Sequence, residues 1–573
     1  MHIKGTELFV KSLKEEGVDT LFGYPGGKAI HIFDALYDED SINIILPRHE
    51  QALIHEAEGY ARATGKVGVC LVTSGPGATN LVTGIADANY DSIPLVCFTA
   101  QVPRNLIGND SFQEVDIVGV TRSISKYSVT VRNRKDLGRI IKEAFYIART
   151  GKPGPVVVDL PEDVMLEIGD DVYKEDINIR GYKPNTEVHV GQVKRAAELL
   201  QKSKKPLFLI GGGVNIAGCK DEFTKLVEKT KIPVVTTVMG KGAIDTDNKF
   251  YIGNIGMHGS FAGNKAISNC DVLFSIGTRF NDRITGKIEE FAKNAKIIHV
   301  DIDSASISRN IKVDIPIVAD AKKFMPVMLQ YVKNYKTEEW IKEIEAWDSE
   351  HPLSLSAPEG ISPRKVIDTV NKVYNNEIVV TDVGQHQMWT CQFIDLKDKA
   401  QLITSGGLGT MGFGLPAAIG AKIGDKTRDV ICISGDAGMQ MNIQELVTAA
   451  SNELPITICI LNNSYLGMVR QWQKLFFHKR YSSTCTRRIK ECDKRCKGPS
   501  DKCPPYSPDF IKIADAYGIK GIRVTDENNL LEAFKEAKEN KKGPTLIEII
   551  IDAEDIVLPM VQGGKALDNT ILE

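Results

Sequence analysis

The sequence predicts an α/β fold of three doubly wound domains with parallel sheets. Short β-branched runs alternate with amphipathic helical stretches along almost the whole chain, the rhythm of parallel-sheet proteins. Two charged, aperiodic stretches cut that rhythm into three blocks. Length agrees, because 573 residues exceed what one hydrophobic core organises, and two to four domains are expected.

The first block covers residues 1–165, with strands expected at Ile42–Leu46, Val67–Thr73, Leu95–Ala100 and Val156–Leu160 and a helix at Glu50–Thr64. Pro161–Val188 loses periodicity and reads as a linker. The second block, residues 190–335, has strands at Pro206–Ile210, Val234–Thr237, Val272–Ile276, Ile297–Asp301 and Ile315–Val318. A Glu-, Lys- and Ser-rich stretch, Lys336–Pro358, reads as the second linker. The third block, 360–554, places strands at Ile378–Thr381, Asp429–Ser434, Ile456–Asn462 and Thr545–Ile551, and a tail covers 555–573. The first and third blocks share size and rhythm, which suggests duplication.

Composition narrows the function classes. A formal net charge of −3 gives no reason to expect a nucleic-acid partner. No apolar run approaches the twenty or so residues that a membrane helix needs. Met1–Val10 lacks the regions of a secretory signal, so a cytoplasmic location is expected. Of eleven cysteines, Cys70, Cys97, Cys432 and Cys459 fall in apolar runs, where Cys packs as a small hydrophobe.

The third block holds the most specific chemical signal. Gly435-Asp436-Ala437 follows one expected strand, and Asn462-Asn463 ends the next, with Asn463 27 residues beyond Asp436. Side chains at the carboxyl ends of adjacent parallel strands face the crevice where such sheets bind ligands. An Asp and an Asn there, with a backbone carbonyl, offer oxygen ligands to Mg²⁺. A helix expected to start near Met441 directs N–H groups toward the same place. Either residue alone is equally well a turn Asp or a strand-end Asn. In the first block, Pro47-Arg48-His49 leads to Glu50 at a helix start, where a carboxylate also simply stabilises the helix. Gly23-Tyr24-Pro25-Gly26-Gly27 and Ser74 to Asn80 (Ser-Gly-Pro-Gly-Ala-Thr-Asn) are strand-to-helix turns that let backbone approach a ligand.

Together these motifs resemble thiamine-diphosphate enzymes. The resemblance implies that Asp436, the Asn463 side chain and the Tyr465 carbonyl bind Mg²⁺, with Gly435, Ala437, Gly438 and Gly467 around the diphosphate. It implies that Glu50 meets the aminopyrimidine, with Gly26, Gly27, Pro76 and Asn80 beside it. Val383, Gly384, Gln385 and His386 would enclose the cofactor, with Gly409 and, as an apolar wedge, Met411. Ala437 departs from the usual third glycine, which matters if that position has φ > 0. Because one subunit's pyrimidine domain faces another's diphosphate domain in such families, a homodimer or homotetramer is implied.

Further runs resemble acetohydroxyacid synthases over nearly the full length: Gln101 to Arg104, Phe112 to Glu114, Gly256 to Gly259, Arg279 to Arg283, Met468 to Trp472, and Val557 to Met560. That family decarboxylates pyruvate and condenses the two-carbon unit with pyruvate or 2-ketobutyrate, on the route to valine, leucine and isoleucine. By resemblance Arg283 would pair with the second acid's carboxylate, Trp472 would pack on its alkyl group, and Phe112, Gln113 and Val383 would line the reaction centre. Taken alone, Arg283 could equally form a surface ion pair with Asp282, and Trp472 could be an ordinary core aromatic. The second block resembles the family's FAD domain, with Gly211, Gly212, Gly213, Thr237, Val238, Met239, Met257, His258, Gly259, Gly277, Arg279, Asp301, Ile302 and Asp320 at flavin-contacting positions. Asn281, Lys152 and Glu162 depart from the common pattern. A small regulatory subunit accompanies many members.

Outside the resemblance lie Cys485, Cys492, Cys496 and Cys503, spaced C-x6-C-x3-C-x6-C in a basic stretch. Four thiolates suit Zn²⁺ or an iron–sulfur cluster, two disulfides are an alternative, and a solvated insertion with free thiols is the plainest reading. Three other functions stay open: a flavin-free catabolic acetolactate synthase, a flavin-dependent pyruvate oxidase, and a flavoprotein scaffold without catalysis.

Overall fold

A computed structural model describes residues 2–573 apart from 174–175, 185–186, 354–359, 494, 497, 499–502, 505 and 507. Three six-stranded sheets, every neighbouring pair parallel, carry the fold. The first domain contains β1 (Thr20–Tyr24), β2 (Asn43–Ile45), β3 (Gly68–Val72), β4 (Leu95–Gln101), β5 (Tyr127–Thr130) and β6 (Pro155–Pro161), ordered β2-β1-β3-β4-β6-β5. The middle domain contains β7 (Pro206–Ile210), β8 (Val234–Thr236), β9 (Tyr251–Asn254), β10 (Val272–Ile276), β11 (Lys296–Asp301) and β12 (Ile315–Val318), ordered β9-β8-β7-β10-β11-β12. The third contains β13 (Ile378–Thr381), β14 (Gln401–Thr404), β15 (Val430–Gly435), β16 (Ile456–Asn462), β17 (Lys520–Val524) and β18 (Thr545–Ile550), ordered β14-β13-β15-β16-β18-β17.

The inner strands are apolar on both faces, as sheets covered by helices on both sides require. Residues of β3, β4, β16 and β18 are almost all buried. The first and third domains share one continuous core, in which Leu53, Ile54 and Ala57 join Phe413, Ala417, Ala418 and Ala421. The middle domain has its own.

The shared core depends on two crossing helices, Glu50–Thr64 and Gly414–Gly424. Their backbones meet at glycines. A Cβ on Gly59 would lie 2.0 Å from the Ala417 carbonyl oxygen, and one on Gly420 would lie 1.8 Å from that of Glu56. Both distances are far inside contact, so any side chain would push the helices apart.

Both stretches expected as linkers hold regular structure. Within Pro161–Val188, Glu162–Leu166 is helical and Ile168–Asp170 pairs antiparallel with His2–Lys4, closing the first domain. Glu338–Glu350 is a helix whose Trp340 and Ile344 are buried against the middle domain, with Trp340 Nε1 donating to the Pro206 carbonyl at 3.0 Å. Charge on the outward faces masks this inner stripe. Residues 354–359 of that stretch, and 174–175 and 185–186 of the first, lie outside the described residues.

Candidate functional site

In a doubly wound sheet, ligands bind where the strand order reverses, outside the carboxyl ends. For the third domain this point lies between β13 and β15. A cleft opens there, lined by Val383, Gly384, Gln385 and His386 after β13, Gly435 to Gly438 after β15, and Asn463 and Tyr465 to Val469 after β16, with Met411 at its edge. Gly435 pairs with Leu461, so Asp436 and Asn463 leave neighbouring strands at almost the same level.

The Asp436 carboxylate is 2% exposed. Burial pushes its carboxyl up to about 7, against hydrogen bonds from the Asn463 backbone N–H and from Thr486. Asn463 Oδ1 accepts from the Tyr465 N–H at 3.0 Å, and Nδ2 donates to Gln385 Oε1 at 3.2 Å. Gly467 is required by that contact, since a Cβ there would fall 2.1 Å from Gln385 Oε1. The carboxylate, amide and carbonyl oxygens form a hard donor set suited to a small divalent cation. His386 is buried, which lowers its pKa to about 4, and its Nε2 has no partner among the described residues. A neutral, buried and unpaired nitrogen beside Gly384 and Gly435 is suited to a polar ligand group. The residues therefore fit a metal-bound diphosphate.

Two details differ from expectation. The helix expected near Met441 begins at Asp436 and ends at Met441. Asp436 thus both follows the strand end and opens the helix, where an Asp in the first turn is favoured by the dipole. Ala437 lies inside that helix and not among the residues of positive φ, so a methyl group is tolerated there. Sequence reasoning also missed Asp382, whose buried carboxylate accepts from the N–H groups of Gly412 and Gly414 and so shapes the glycine loop holding Gly409 and Met411. An acid ending β13 was the available signal.

The first domain's reversal point lies between β1 and β3, the paired strands that lead into Gly26-Gly27 and into Pro76 to Asn80. Glu50 is half-buried at the first position of its helix, and its Oε2 accepts from Asn80 Nδ2 at 2.9 Å. A Cβ on Gly77 would lie 3.4 Å from Glu50 Oε1, and one on Gly26 would strike Thr73. Gly27 has open space around it, so sterics do not demand glycine there. Gly75, at φ +59°, sits against the backbone of Gln113, itself at φ +59°. Phe112 is 84% exposed. Neither it, Gln113 nor Glu50 lines the third-domain cleft of the same chain.

Arg283 and Trp472, from different domains, are brought together. The guanidinium carbon lies 5.8 Å from the Trp472 ring centroid, while Asp282 is 3.9 Å from Arg283 Nη1. The guanidinium also reaches Met257 Sδ at 3.8 Å. It remains half exposed and keeps donors free for an anion.

In the middle domain the order reverses between β7 and β10, in the sequence order 3-2-1-4-5-6 of dinucleotide-binding folds. Gly211 and Gly213 meet Gly277 backbone to backbone there, and Gly212 faces Met239. Glycine is therefore needed for packing as well as for any ligand. Thr237 caps the turn Val238–Gly240, and Met239 lies where a side chain on Gly406 would go, tying this domain to the third. His258 is half-buried, its shielded Nδ1 unpaired among the described residues, next to Gly259, whose Cβ would strike Ile255. Arg279 lies over Tyr90 of the first domain at 5.8 Å. Asp301, followed by half-buried Ile302, holds its own turn through the Asp303 N–H, and Asp320 caps the helix Ala321–Tyr331. Those carboxylates have structural work irrespective of a flavin. Among the departures, Glu162 pairs with Lys28 at 2.9 Å, Lys152 reaches the Asn89 carbonyl at 3.4 Å, and the buried Asn281 Oδ1 has no partner among the described residues.

Among the described residues none of the four clustered cysteines forms a disulfide. Among the described residues, the one set of three metal-type ligand atoms within 4.8 Å of one another is His55, Glu58 and Asp87, so the sulfurs are not gathered. No helix of the described residues is long and apolar enough to cross a membrane.

Comparison with known proteins agrees with this architecture. Residues 3–120 match "Thiamine pyrophosphate enzyme, N-terminal TPP binding domain", 193–328 the central domain of the same family, and 382–549 its C-terminal TPP binding domain. The chain is 44% identical to the "Probable acetolactate synthase large subunit" of Methanocaldococcus jannaschii, over 99% of this chain and 95% of that protein. It is 41% identical to the "Acetolactate synthase isozyme 3 large subunit" of Escherichia coli, over 99% and 98%. It is 43% identical to the "Acetolactate synthase large subunit" of Porphyra purpurea, over 98% and 94%. With three matched domains and relatives collinear over nearly its whole length, the chain belongs to the acetolactate synthase large-subunit family of thiamine pyrophosphate enzymes.

Proposed function

We propose that this chain catalyses decarboxylation of pyruvate and condensation of the two-carbon unit with pyruvate or 2-ketobutyrate, giving 2-acetolactate or 2-aceto-2-hydroxybutyrate for branched-chain amino acid synthesis. The observation that carries the reading is the pairing of Asp436 with Asn463 at the reversal point of one sheet, in a chain that also offers Glu50 at the same point of a sheet of identical order. Asp436, Asn463 Oδ1 and the Tyr465 carbonyl would hold Mg²⁺, with Gly435, Gly438 and Gly467 leaving room for the diphosphate. When bound, thiamine diphosphate supplies the electron sink that decarboxylation needs. Glu50 would face the pyrimidine ring and exchange a proton with it, the part a general acid or base plays. His386, kept neutral by burial, offers Nε2 as a donor or an acceptor without adding charge. Arg283 binds the second acid's carboxylate, and Trp472 sets the size of its alkyl group.

The site is completed by a second copy. Glu50 and Gln113 are not in the cleft of their own chain, and Phe112 projects from the surface, so a homodimer or a tetramer of such dimers supplies the missing wall. FAD fits the carboxyl edge of β7, β8, β10 and β11, where it would play a structural part, since net condensation transfers no electrons. The phrase "large subunit" in the relatives' names supports a small regulatory partner.

The test is a product assay with mixed pyruvate and 2-ketobutyrate, with and without thiamine diphosphate, Mg²⁺ and FAD. Both acetohydroxy acids are expected, and only when thiamine diphosphate and Mg²⁺ are present. Anaerobic bleaching of the flavin by pyruvate at the turnover rate would instead indicate a pyruvate oxidase. Full activity in flavin-free protein would indicate the catabolic type.

A further inference from the structure

The glycine loop before Met411 is held from outside its own domain. Residues 405–410 lead from β14 toward the cleft, and their polar groups meet the helix Val82–Asp91 of the first domain. The Ser405 hydroxyl accepts from the Gly409 N–H at 3.0 Å and the Thr410 N–H at 2.9 Å, and donates its own hydrogen to Asp87 Oδ1. Thr410 Oγ1 donates to the same oxygen at 3.0 Å. Asp91, one turn later, accepts from the Gly406 N–H and from Arg62 Nη2, both at 2.9 Å.

Asp87 is fully buried, as are His55 and Glu58 of the helix Glu50–Thr64 beside it. One ligand-type atom from each of these three lies within 4.8 Å of the other two, and His55 Nδ1 is 3.0 Å from Glu58 Oε1. Ionising Glu58, Asp87 and Asp91 together would set three carboxylates against the Arg62 guanidinium in a dry interior, a state that protonation relieves. Glu58 Oε2 and Asp87 Oδ2 are both buried without a partner among the described residues. One hydrogen between them satisfies both atoms. Burial, with the Asp87 charge beside it, holds the Glu58 carboxyl well above the ordinary carboxylate range, so Glu58 is the acid that carries it. Burial also pushes His55 down to about 4, leaving a neutral ring whose Nδ1–H donates to Glu58 Oε1. Donors then run in one direction, from His55 to Glu58 to Asp87. Asp87 remains the charged acceptor for Ser405 and Thr410.

We propose that Asp87 and Glu58 are positioning residues for the cofactor loop: a proton carried by Glu58 leaves Asp87 charged and aimed at Ser405 and Thr410, which fixes Gly409 and Met411 at the cleft. The first domain thereby shapes the cleft in the third domain of the same chain. Hydrogen bonds to a carboxylate are stronger than neutral ones, so the loop is formed before a ligand arrives. The anchor stands independently of the reaction assigned above; its effect on thiamine diphosphate rests on that cofactor reading.

The test uses the full-length protein. Glu58→Gln keeps a neutral side chain with a donor and an acceptor, Glu58→Leu removes the donor, and Asp87→Ala removes the anchor. Infrared difference spectra should show one protonated-carboxyl C=O band in wild type that is lost in Glu58→Gln. Amide hydrogen exchange in peptides spanning 405–413 should quicken about tenfold in Glu58→Leu, in Asp87→Ala and in the Ser405→Ala/Thr410→Val double variant, roughly the worth of one hydrogen bond to a charged group. The double variant keeps the buried acids intact, should Asp87→Ala fail to fold. Glu58→Gln should exchange at the wild-type rate. The thiamine diphosphate concentration for half-saturation, followed by intrinsic fluorescence at saturating Mg²⁺, should rise by the same factor in the same variants, while kcat at saturating cofactor falls much less. No lost infrared band, unchanged loop exchange in the double variant, or Glu58→Gln behaving like Glu58→Leu would overturn the proposal. So would a metal ion bound by wild type and lost in Glu58→Gln. Quickened exchange with unchanged thiamine diphosphate binding would overturn the cofactor role. All the expected changes in a protein that makes no acetolactate would support the anchor and count against the assigned reaction.

Discussion

The first and third domains are built on one strand order, 2-1-3-4-6-5 within each, whereas the middle domain runs 3-2-1-4-5-6. The two like domains have diverged in what their reversal points offer. In the first, the residue presented is a carboxylate on a helix start, Glu50, held by Asn80. In the third, the residues presented are Asp436 and Asn463 at strand ends, one fully buried beneath Thr486. In the roles proposed for them, a proton-handling group and a cation-binding group have different electrostatic needs. A shared scaffold with separate side chains meets both needs, and the two domains pack through one core without sharing a site within the chain. The middle domain, with a different order and a separate core, presents glycine backbone, Gly211 and Gly213 against Gly277, at its reversal point.

If this division of labour holds, the largest effect belongs to Glu50. Gln keeps the size of the side chain and still accepts from Asn80, but it cannot cycle a proton. Glu50→Gln should lower acetolactate formation by about 10²- to 10⁴-fold, the usual worth of a general acid or base. Thermal unfolding and Mg²⁺-dependent thiamine diphosphate binding should stay close to wild type. Wild-type activity in this variant would remove the comparison's premise.

The next effect separates the two sheets by pH. Equivalent strands β6 and β18 each carry one buried acid. Glu548 is paired with Arg523, while Asp159 accepts from the uncharged Thr99, Gln101 and Thr130. Burial therefore pushes the Asp159 carboxyl up to about 7. Its folded pKa lies above the unfolded value near 3.9, so the folded state binds the extra proton between those limits. That contribution is complete below about pH 4 and is lost as pH rises through about 7. Asp159→Asn removes the dependence. Relative to wild type, the variant should gain roughly 2–4 kcal/mol between pH 4 and pH 8, at about 1.4 kcal/mol for each unit of displacement. Urea unfolding at the two pH values measures it; parallel curves would place the proton elsewhere.

How much of this was visible in the sequence follows the same divide between centre and edge. Inner strands such as Pro206–Ile210, Val272–Ile276 and Ile456–Asn462 lie where their apolar runs indicate, because a doubly covered strand leaves no polar face to blur the pattern. Five strands of the large sheets are absent from the expected set: Thr20–Tyr24, Tyr127–Thr130, Tyr251–Asn254, Gln401–Thr404 and Lys520–Val524. Four are sheet edges with a neighbour on one side only, partly exposed and interrupted by Ser, Gly, Gln or Arg; the fifth, Thr20–Tyr24, lies inside its sheet, where its glycine reads as part of the following turn. The adjacency of Asp436 and Asn463 was legible because it depends only on two consecutive strands being neighbours. The meeting of Arg283 with Trp472, the bond from Thr486 to Asp436 and the helix crossing at Gly59 and Gly420 join residues 50 to 361 positions apart. No local pattern encodes such contacts. An isolated glycine inside an amphipathic helix, as at Gly59, was the single clue to a close approach.

That approach supplies a smaller effect. In an exposed helix, Gly→Ala gains about 1 kcal/mol of helix propensity. At Gly420 the added methyl would sit 1.8 Å from the Glu56 carbonyl oxygen, so the crossing has to open. Gly420→Ala should therefore destabilise by about 1–3 kcal/mol net, as overpacked cores do. The first and third domains should unfold together in wild type and in two separated transitions in the variant, while the middle domain, with its separate core, keeps its own midpoint. A stabilised Gly420→Ala would mean that the two like domains are not held by this contact.

The smallest expected effect tests the contact that the two like domains do not make alone. Arg283 comes from the middle domain and Trp472 from the third, and their cation–π contact brings together the groups proposed to hold the carboxylate and the alkyl end of the second substrate. Removing the ring leaves the guanidinium in place, so the carboxylate common to pyruvate and 2-ketobutyrate should still be bound. What is lost is packing against the one methylene by which those acids differ, worth about 1–3 kcal/mol when fully enclosed. Trp472 is only half-buried in the single chain, so the lower end of that range applies. Trp472→Ala should lower the preference for 2-ketobutyrate about tenfold in competition assays, with total product formation falling much less. Arg283→Lys should do the reverse, weakening both acids alike and leaving their ratio unchanged, because a point charge keeps the attraction but not the forked geometry. If both substitutions shift the ratio equally, the two residues act as one packed unit, and the separation of charge recognition from size recognition is wrong.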